Sequence, residues 1–258
     1  MYSHRGSTGP VDRAFTDRYD GVSAVPFHSL NLALEGEDDP VATTQNLRIV
    51  LADFAPDLFE DPAATPSFDP YADPRVAQVR QVHGRDVVVV GQDGHQPGTT
   101  VPEADGLVTD RPGIVLVVRA ADCLPIVLAD PGVGVVGVAH AGRLGMASGV
   151  ATATVTAMRD LGAEQVTAWI GPHVCGACYE VPAALQDEVA ASIPAARATT
   201  SWGTPSLDLG AGVRAQLEAD GVEVHDLGAC TRESEALYSY RRDGARAGRL
   251  AGLVRIRA

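Results

Sequence analysis

The chain has 258 residues, 45% of them hydrophobic and 21% charged, with a formal net charge of -13, a balance that suits one compact domain over residues 1–258 with a core that needs no disulfide staples. That charge repels polyanions, which argues against nucleic acid and anionic membranes as partners and favours a small-molecule substrate. All 20 basic side chains are arginine; the absence of lysine removes Schiff-base enzymes and hydrolases built on a P-loop lysine.

The start, MYSHRGSTGPVDRAF, lacks the charged, apolar and small-residue regions of a secretory signal, and no apolar run reaches membrane-spanning length. A cytoplasmic location is expected, where Cys123, Cys175, Cys178 and Cys230 read first as thiols, ligands or buried small hydrophobes. The first third reads as irregular. FTDRYDGVSAVPFHSLNLALEGEDDP is rich in turn formers and acids, and PDLFEDPAATPSFDPYADP is a connection punctuated by Pro and Asp. Between them PVATTQNLRIVLADF has helical spacing, with Leu47, Val50 and Leu51 on one side.

Strand then follows strand: VAQVRQV, DVVVV, GIVLVV, LPIVLA and GVVGVA, each short, rich in Val and bounded by Gly, Pro or Asp. MASGVATATVTAMRDLG predicts one helix ended by Gly162, and VTAWIG predicts a strand. VPAALQDEVAASI and SLDLGAGVRAQLEADG predict two more helices, the second capped by Asp208. Strands that cluster, with helices mostly after them, point to an α+β fold. The last stretch, RRDGARAGRLAGLVRIRA, holds six arginines and reads as a solvated face, with phosphate recognition as its alternative.

Three residues stand at strand ends beside small or turn-forming neighbours: His83 in RQVHGRD, Cys123 in RAADCLP and His140 in GVAHAGR. Two imidazoles and a thiolate are a donor set for a catalytic zinc with an open fourth position. Their wide separations match no zinc-finger spacing, so a buried thiol and histidines bonded to carbonyls stay open as plainer readings. Asp105 in EADGLVTD and Asp122 before Cys123 are candidates to orient an imidazole or move a proton, and can equally be turn residues. Cys175 and Cys178 form a C-x-x-C that suits a redox pair or half of a structural zinc site. No second C-x-x-C exists, so loop packing near the active site is the preferred reading.

QVHG at 81–84, EADGLVTD at 103–110, ADCLPI at 121–126, HAG at 140–142, GP with CYEV within 171–181, the late CT and SYRR, and the early FTDRYDGVS and QNLR together resemble the YfiH-like family. Its members are variously called polyphenol oxidase or laccase, purine nucleoside phosphorylase, and peptidoglycan editing factor. The resemblance runs from about residue 15 to the C-terminus. It implies mixed β-sheets packed between helices, a layered α/β/β/α arrangement, and a zinc site of His83, Cys123 and His140. Two departures matter: HAG is followed here by Arg143 and Leu144, where the family has an aromatic and then an arginine, and SYRR is preceded by Tyr238, where the family has Phe.

The resemblance further implies zinc-dependent phosphorolysis of purine nucleosides (adenosine, inosine, methylthioadenosine) with phosphate as co-substrate, and adenosine deamination as a second activity. Deamination would use a zinc-activated water with a nearby carboxylate, Asp105 or Asp122. Phosphorolysis needs a cationic cradle, for which Arg18, Arg143, Arg241 and Arg242 are candidates by guanidinium chemistry, with Asn46 as a further substrate contact. The alternatives are copper-dependent phenol oxidation, hydrolytic editing of peptidoglycan precursors with Cys123 as nucleophile or zinc ligand, and a non-enzymatic binding protein with a closed metal site.

Overall fold

The computed structural model describes residues 1–59, 68–91 and 101–258, so the expected connection over 56–74 lies partly outside the described residues. In chain order the elements are β1 (Tyr2–Thr8), β2 (Val11–Thr16), α1 (Pro40–Phe54), β3 (Val76–Gln78), β4 (Val87–Val89), β5 (Gly106–Thr109) and β6 (Val115–Ala120). Then come β7 (Leu124–Asp130), β8 (Val135–Ala141), α2 (Arg143–Ser148), α3 (Val150–Asp160), β9 (Thr167–Ile170) and α4 (Ala183–Ser192). The chain ends with β10 (Arg197–Thr199), β11 (Pro205–Leu207), α5 (Leu209–Ala219), β12 (Glu223–Asp226), α6 (Tyr240–Asp243) and β13 (Leu250–Ile256).

The Val-rich strands read as continuous apolar runs because both of their faces are covered. One sheet has the order β1-β2-β13-β6-β3 and the other β12-β9-β7-β8-β5-β4; a short β10-β11 pair stands apart. Alternate residues sort into layers. Leu116 and Val118 of β6, Val127 of β7, Val138 of β8 and Val254 of β13 meet Phe15 between the sheets. Leu124, Ile126 and Leu128 face outward onto Met146, Val155, Val213 and Leu217 of the helices. Val115, Val117 and Leu253 face the other way, onto Leu47, Val50, Leu51 and Phe54 of α1. The result is the four-layer α/β/β/α arrangement. Glycines permit the close approach of layers: a Cβ on Gly171 would lie 2.3 Å from the Phe15 ring.

Helix α1 has the expected limits, started by Pro40 and by Asp39, whose carboxylate accepts from Val41 N. Asp208 likewise caps α5 through Ala211 N. Elsewhere the sequence misled. The expected single helix is two, α2 and α3, divided at Gly149 with φ 79°. The N-terminal third is irregular over residues 17–39, as expected, but not before them: Tyr2–Thr16 is a hairpin whose outer strand is half exposed, so its pattern is mostly polar. The arginine-rich C-terminus is a solvated face only in part, with Arg241, Arg246 and Arg257 exposed. Its residues 250–256 form the buried strand β13, inserted between β2 and β6. Arg255 is tolerated there because Asp12 and Asp57 neutralise it.

Asp130, at the end of β7, ties two connections together by accepting from Gly132 N, Glu164 N and Gln165 N at 3.0, 2.8 and 2.7 Å. Burial raises its pKa, but these amides outweigh burial and hold it below the usual carboxylate value. Its stabilisation is therefore present above the unfolded pKa of about 4 and is lost as pH falls through the lower folded value. Asp130→Asn should lower stability by about 1–2 kcal/mol at neutral pH. Urea unfolding at neutral and acidic pH checks this; a deficit that persists unchanged below the folded pKa would refute the ionic origin.

Candidate metal centre and its pocket

Two of the three donors sit where the chain crosses from one sheet to the other. The link from β3 to β4 carries His83, and the three-residue link from β6 to β7 carries Cys123. Such tight crossings need unusual backbone: His83 has φ 62° and Asp122 has φ 85°, a region that Asp and His enter more readily than most residues. The third donor, His140, is in β8 beside the start of β7, paired in register with Pro125. Gly142 follows because a Cβ there would lie 2.9 Å from the His83 ring and 3.0 Å from the Cys123 sulfur.

The three donor atoms lie within 4.8 Å of one another, with Cys123 Sγ 3.9 Å from His83 Nε2. A tetrahedral zinc with bonds of about 2.0 Å to nitrogen and 2.3 Å to sulfur needs donor separations of about 3.5 Å, so a small contraction completes the set. The buried His140 meets the exposed His83 edge to face, with ring centroids 4.8 Å apart.

Asp105 braces both histidines from beneath. Gly106 pairs with Ala139 across β5 and β8, which sets Asp105 beside His140, and its Oδ1 lies 2.8 Å from His140 Nδ1. The same fully buried carboxylate accepts from the backbone N–H groups of Val82, His83 and Gly84 at 3.2, 3.0 and 2.7 Å. One acid thus fixes the His83 turn and leaves His140 Nε2 for a metal, the arrangement by which a carboxylate orients a ligating imidazole. Burial opposes ionisation of Asp105, Cys123 and His140, but their partners win. Asp105 is held below its ordinary pKa by His140 and the amides. Burial pushes the Cys123 thiol up, yet His140 and His83 bring it down to about 6. Burial disfavours the His140 imidazolium, yet Asp105 and Cys123 raise it to about 9.

Asp122 faces the other way. Its Oδ1 accepts from Thr231 Oγ1 and its Oδ2 from Arg241 N, both at 2.6 Å, so it clasps the C-terminal loops to the β6–β7 link.

The trio opens into a pocket of about 770 Å³ whose walls include Arg80, Tyr179, Tyr240, Arg241 and Arg249. Arg241 stacks on Tyr179 at 4.4 Å. Burial lowers the Arg249 pKa, while Cys123, Tyr240 and Asp122 act in the opposite sense. The pocket has no aromatic after HAG but two tyrosines from distant parts of the chain, Tyr179 in a loop and Tyr240 at the start of α6. Of the substrate candidates, Arg241 lines the pocket; Arg18, Asn46 and Arg143 do not. Arg18 bonds to His28 O and lies over the Tyr238 ring. Asn46 is fully buried, donating to Ser23, Ser29 and Asn31 and accepting from Val22 N, so it shapes the loop before α1 and has no surface for substrate. Arg242 is turned inward onto the carbonyls of Thr231, Ser234 and Leu237. Sequence reasoning missed Arg249, whose only signal was its place in an arginine-rich tail, and Tyr179, which was visible as the Tyr of CYEV.

Comparison with known proteins identifies the family of the chain. The sequence model of the family described as multi-copper polyphenol oxidoreductase laccase matches residues 12–257. A Streptomyces coelicolor protein named purine nucleoside phosphorylase is 48% identical, over 98% of this chain and 99% of the relative. One of the same name from Mycobacterium tuberculosis is 41% identical, over 97% of this chain and 95% of the relative. Among solved structures, a Neisseria meningitidis protein superposes with a TM-score of 0.80 at 28% identity, covering 100% of this chain and 99% of its own. YlmD from Geobacillus stearothermophilus does so at 0.79 and 29%, covering 97% and 94%. The chain belongs to the multi-copper polyphenol oxidoreductase laccase family, the YfiH-like family that its motifs resemble.

Proposed function

We propose that the chain is a zinc-dependent purine nucleoside phosphorylase acting on adenosine, inosine and methylthioadenosine. The observation that carries this reading is that the donor trio, the cations Arg241 and Arg249 and the rings of Tyr179 and Tyr240 all face one pocket. Guanidinium groups suit a phosphate dianion, and tyrosine faces suit a purine. The names of the relatives support the substrate class. When bound by His83, Cys123 and His140, zinc supplies a Lewis acid at the pocket floor.

The protein's own groups then have separate tasks. Arg241 and Arg249 hold phosphate so that its oxygen meets the ribose C1′ as the bond from C1′ to purine N9 breaks. The bonding pair leaves with the purine, which takes up the proton that hydrogen phosphate gives up as its oxygen bonds to C1′, and the products are free base and ribose 1-phosphate. Arginine charge beside the ribose favours the incoming phosphate, and the tyrosine walls exclude water that would compete with it. Asp105 acts as a positioning residue, since four donors occupy it. Asp122 is likewise committed, to Thr231 and Arg241. Neither carboxylate is free for the proton shuttle that deamination requires, which favours phosphorolysis. Copper would fit the same donors, but among the described residues the ligand-spaced groups contain only two histidines, too few for the copper cluster of a multicopper oxidase.

Incubation with adenosine, with and without phosphate, followed by chromatography and mass analysis tests the reading. Adenine that forms only with phosphate is expected; inosine as the sole product, or unchanged adenosine, would contradict it. Arg249→Met should raise the KM for phosphate by about tenfold or more, because a charge-assisted contact is lost, with a smaller effect on the nucleoside KM. Steady-state kinetics in both substrates checks this, and equal effects on both would remove Arg249 from the phosphate site.

A further inference from the structure

A second donor cluster, which the proposed reaction does not use, joins parts of the chain far apart in sequence. Cys175, Cys178, Cys230 and Glu233 each bring one donor atom, and all four atoms lie within 4.8 Å of one another. Cys178 Sγ is already 3.3 Å from Glu233 Oε1, and Cys175 N points at Cys230 Sγ at 3.5 Å. The expectation of simple loop packing rested on the absence of a second C-x-x-C. The missing half is present as C-x-x-E, Cys230-Thr-Arg-Glu233, with the same spacing.

The two halves also share their backbone. Tyr179 N donates to Cys175 O at 3.1 Å, and Ser234 N donates to Cys230 O at 3.1 Å, so each donor pair sits on a turn closed by the same five-residue bond. The strand-like bridge between His173 and Cys230 holds the two turns side by side. A disulfide would use two sulfurs and leave the third sulfur and the carboxylate without a role. Three thiolates and a carboxylate make a complete four-donor set, and thiolate-rich sets select zinc over hard cations. For zinc bonds of about 2.3 Å to sulfur, tetrahedral sulfurs stand about 3.8 Å apart, a separation the cluster reaches by a slight contraction.

We propose that Cys175, Cys178, Cys230 and Glu233 bind a second zinc ion, coordinatively closed and structural. Its consequence reaches the pocket through covalent neighbours. Tyr179, next to Cys178, lines the pocket, and Thr231, next to Cys230, donates to Asp122 beside Cys123. Val174, next to Cys175, donates its N–H to Asp122 O. The second ion thus fixes the wall that faces the first.

The test is metal stoichiometry of the whole protein, reconstituted with zinc under reducing conditions. Wild type should hold two zinc ions, Cys178→Ser one, and Cys123→Ala one. With cobalt in place of zinc, the near-ultraviolet sulfur-to-metal band should lose most of its intensity in Cys178→Ser and little in Cys123→Ala, because three thiolates serve one site and one serves the other. Glu233→Gln, which keeps all the sulfurs, should weaken one of the two zinc ions by about tenfold or more against a competing chelator. A wild type that takes up one zinc, with a cobalt band unchanged in Cys178→Ser, overturns the proposal. So does mass analysis that finds two of these three cysteines joined as a disulfide in the zinc-supplied, reduced protein.

Discussion

Cys123→Ala is expected to abolish zinc binding at the strand-end trio and to lower phosphate-dependent adenine formation by about a thousandfold, while far-ultraviolet circular dichroism stays that of wild type. The magnitude follows from a Lewis acid that contributes several kcal/mol to the transition state. The fold should survive because the residue sits at a link between sheets, outside the apolar layers that hold the sheets together. The two roles open to Cys123 give different patterns. As a metal ligand it shares its fate with its partners, so His83→Ala and His140→Ala should lose zinc and activity to a similar degree. As a covalent nucleophile it would be alone in this. Metal analysis and turnover of the three variants separate the cases, and full zinc retention by Cys123→Ala would remove it from the metal site.

The second large effect concerns Asp105, which touches no pocket surface. Asp105→Asn replaces a carboxylate that takes four donors with an amide that has a single accepting oxygen and two hydrogens facing other N–H groups. Zinc affinity should fall by about 10- to 100-fold, the usual cost of removing a group that orients a ligand. Stability should also fall by about 2–3 kcal/mol, since buried N–H groups lose their acceptor. A positioning role predicts that saturating zinc restores most of kcat; a catalytic role for Asp105 predicts that kcat stays low when zinc is saturating. Chelator competition, denaturant unfolding and kinetics at saturating zinc read the three quantities.

The same network sets the pH dependence of metal uptake. Between about 6 and 9 the Cys123 sulfur is ionised and His140 carries a second proton, which must leave before Nε2 can bind a cation. Zinc affinity should therefore rise about tenfold per pH unit across that window, and fall more steeply below it as Cys123 also takes up a proton. An affinity flat across the window would mean that His140 is neutral before the metal arrives.

The trio was legible because each member stands near the end of an apolar run beside small or turn-forming residues, and the layered fold because those strands are apolar on both faces. Asp105 and Asp122 were legible as candidates to orient an imidazole or move a proton, but which of them meets a histidine depends on what the sheets bring beside them: His140 across the β5–β8 ladder for Asp105 and Thr231 from a remote loop for Asp122. Strand β13 was hidden by its charge, since the Asp12 and Asp57 that neutralise Arg255 lie about two hundred residues away or more. Asn46 was misread for a related reason. Its polarity suggests a surface contact, but its amide is consumed by three acceptors in the fold. Local pattern reports strands and turns, whereas the partners of buried polar groups are set by topology.

The most direct test of the central claim is to strip the protein with chelator and follow phosphate-dependent release of adenine from adenosine as zinc is added back, in wild type and in Cys123→Ala. Turnover that is absent without metal, returns as zinc fills the wild-type site, and never returns in Cys123→Ala is the predicted result. Full turnover by the stripped wild type, or recovery in Cys123→Ala, would show that His83, Cys123 and His140 do not hold the metal on which the reaction depends.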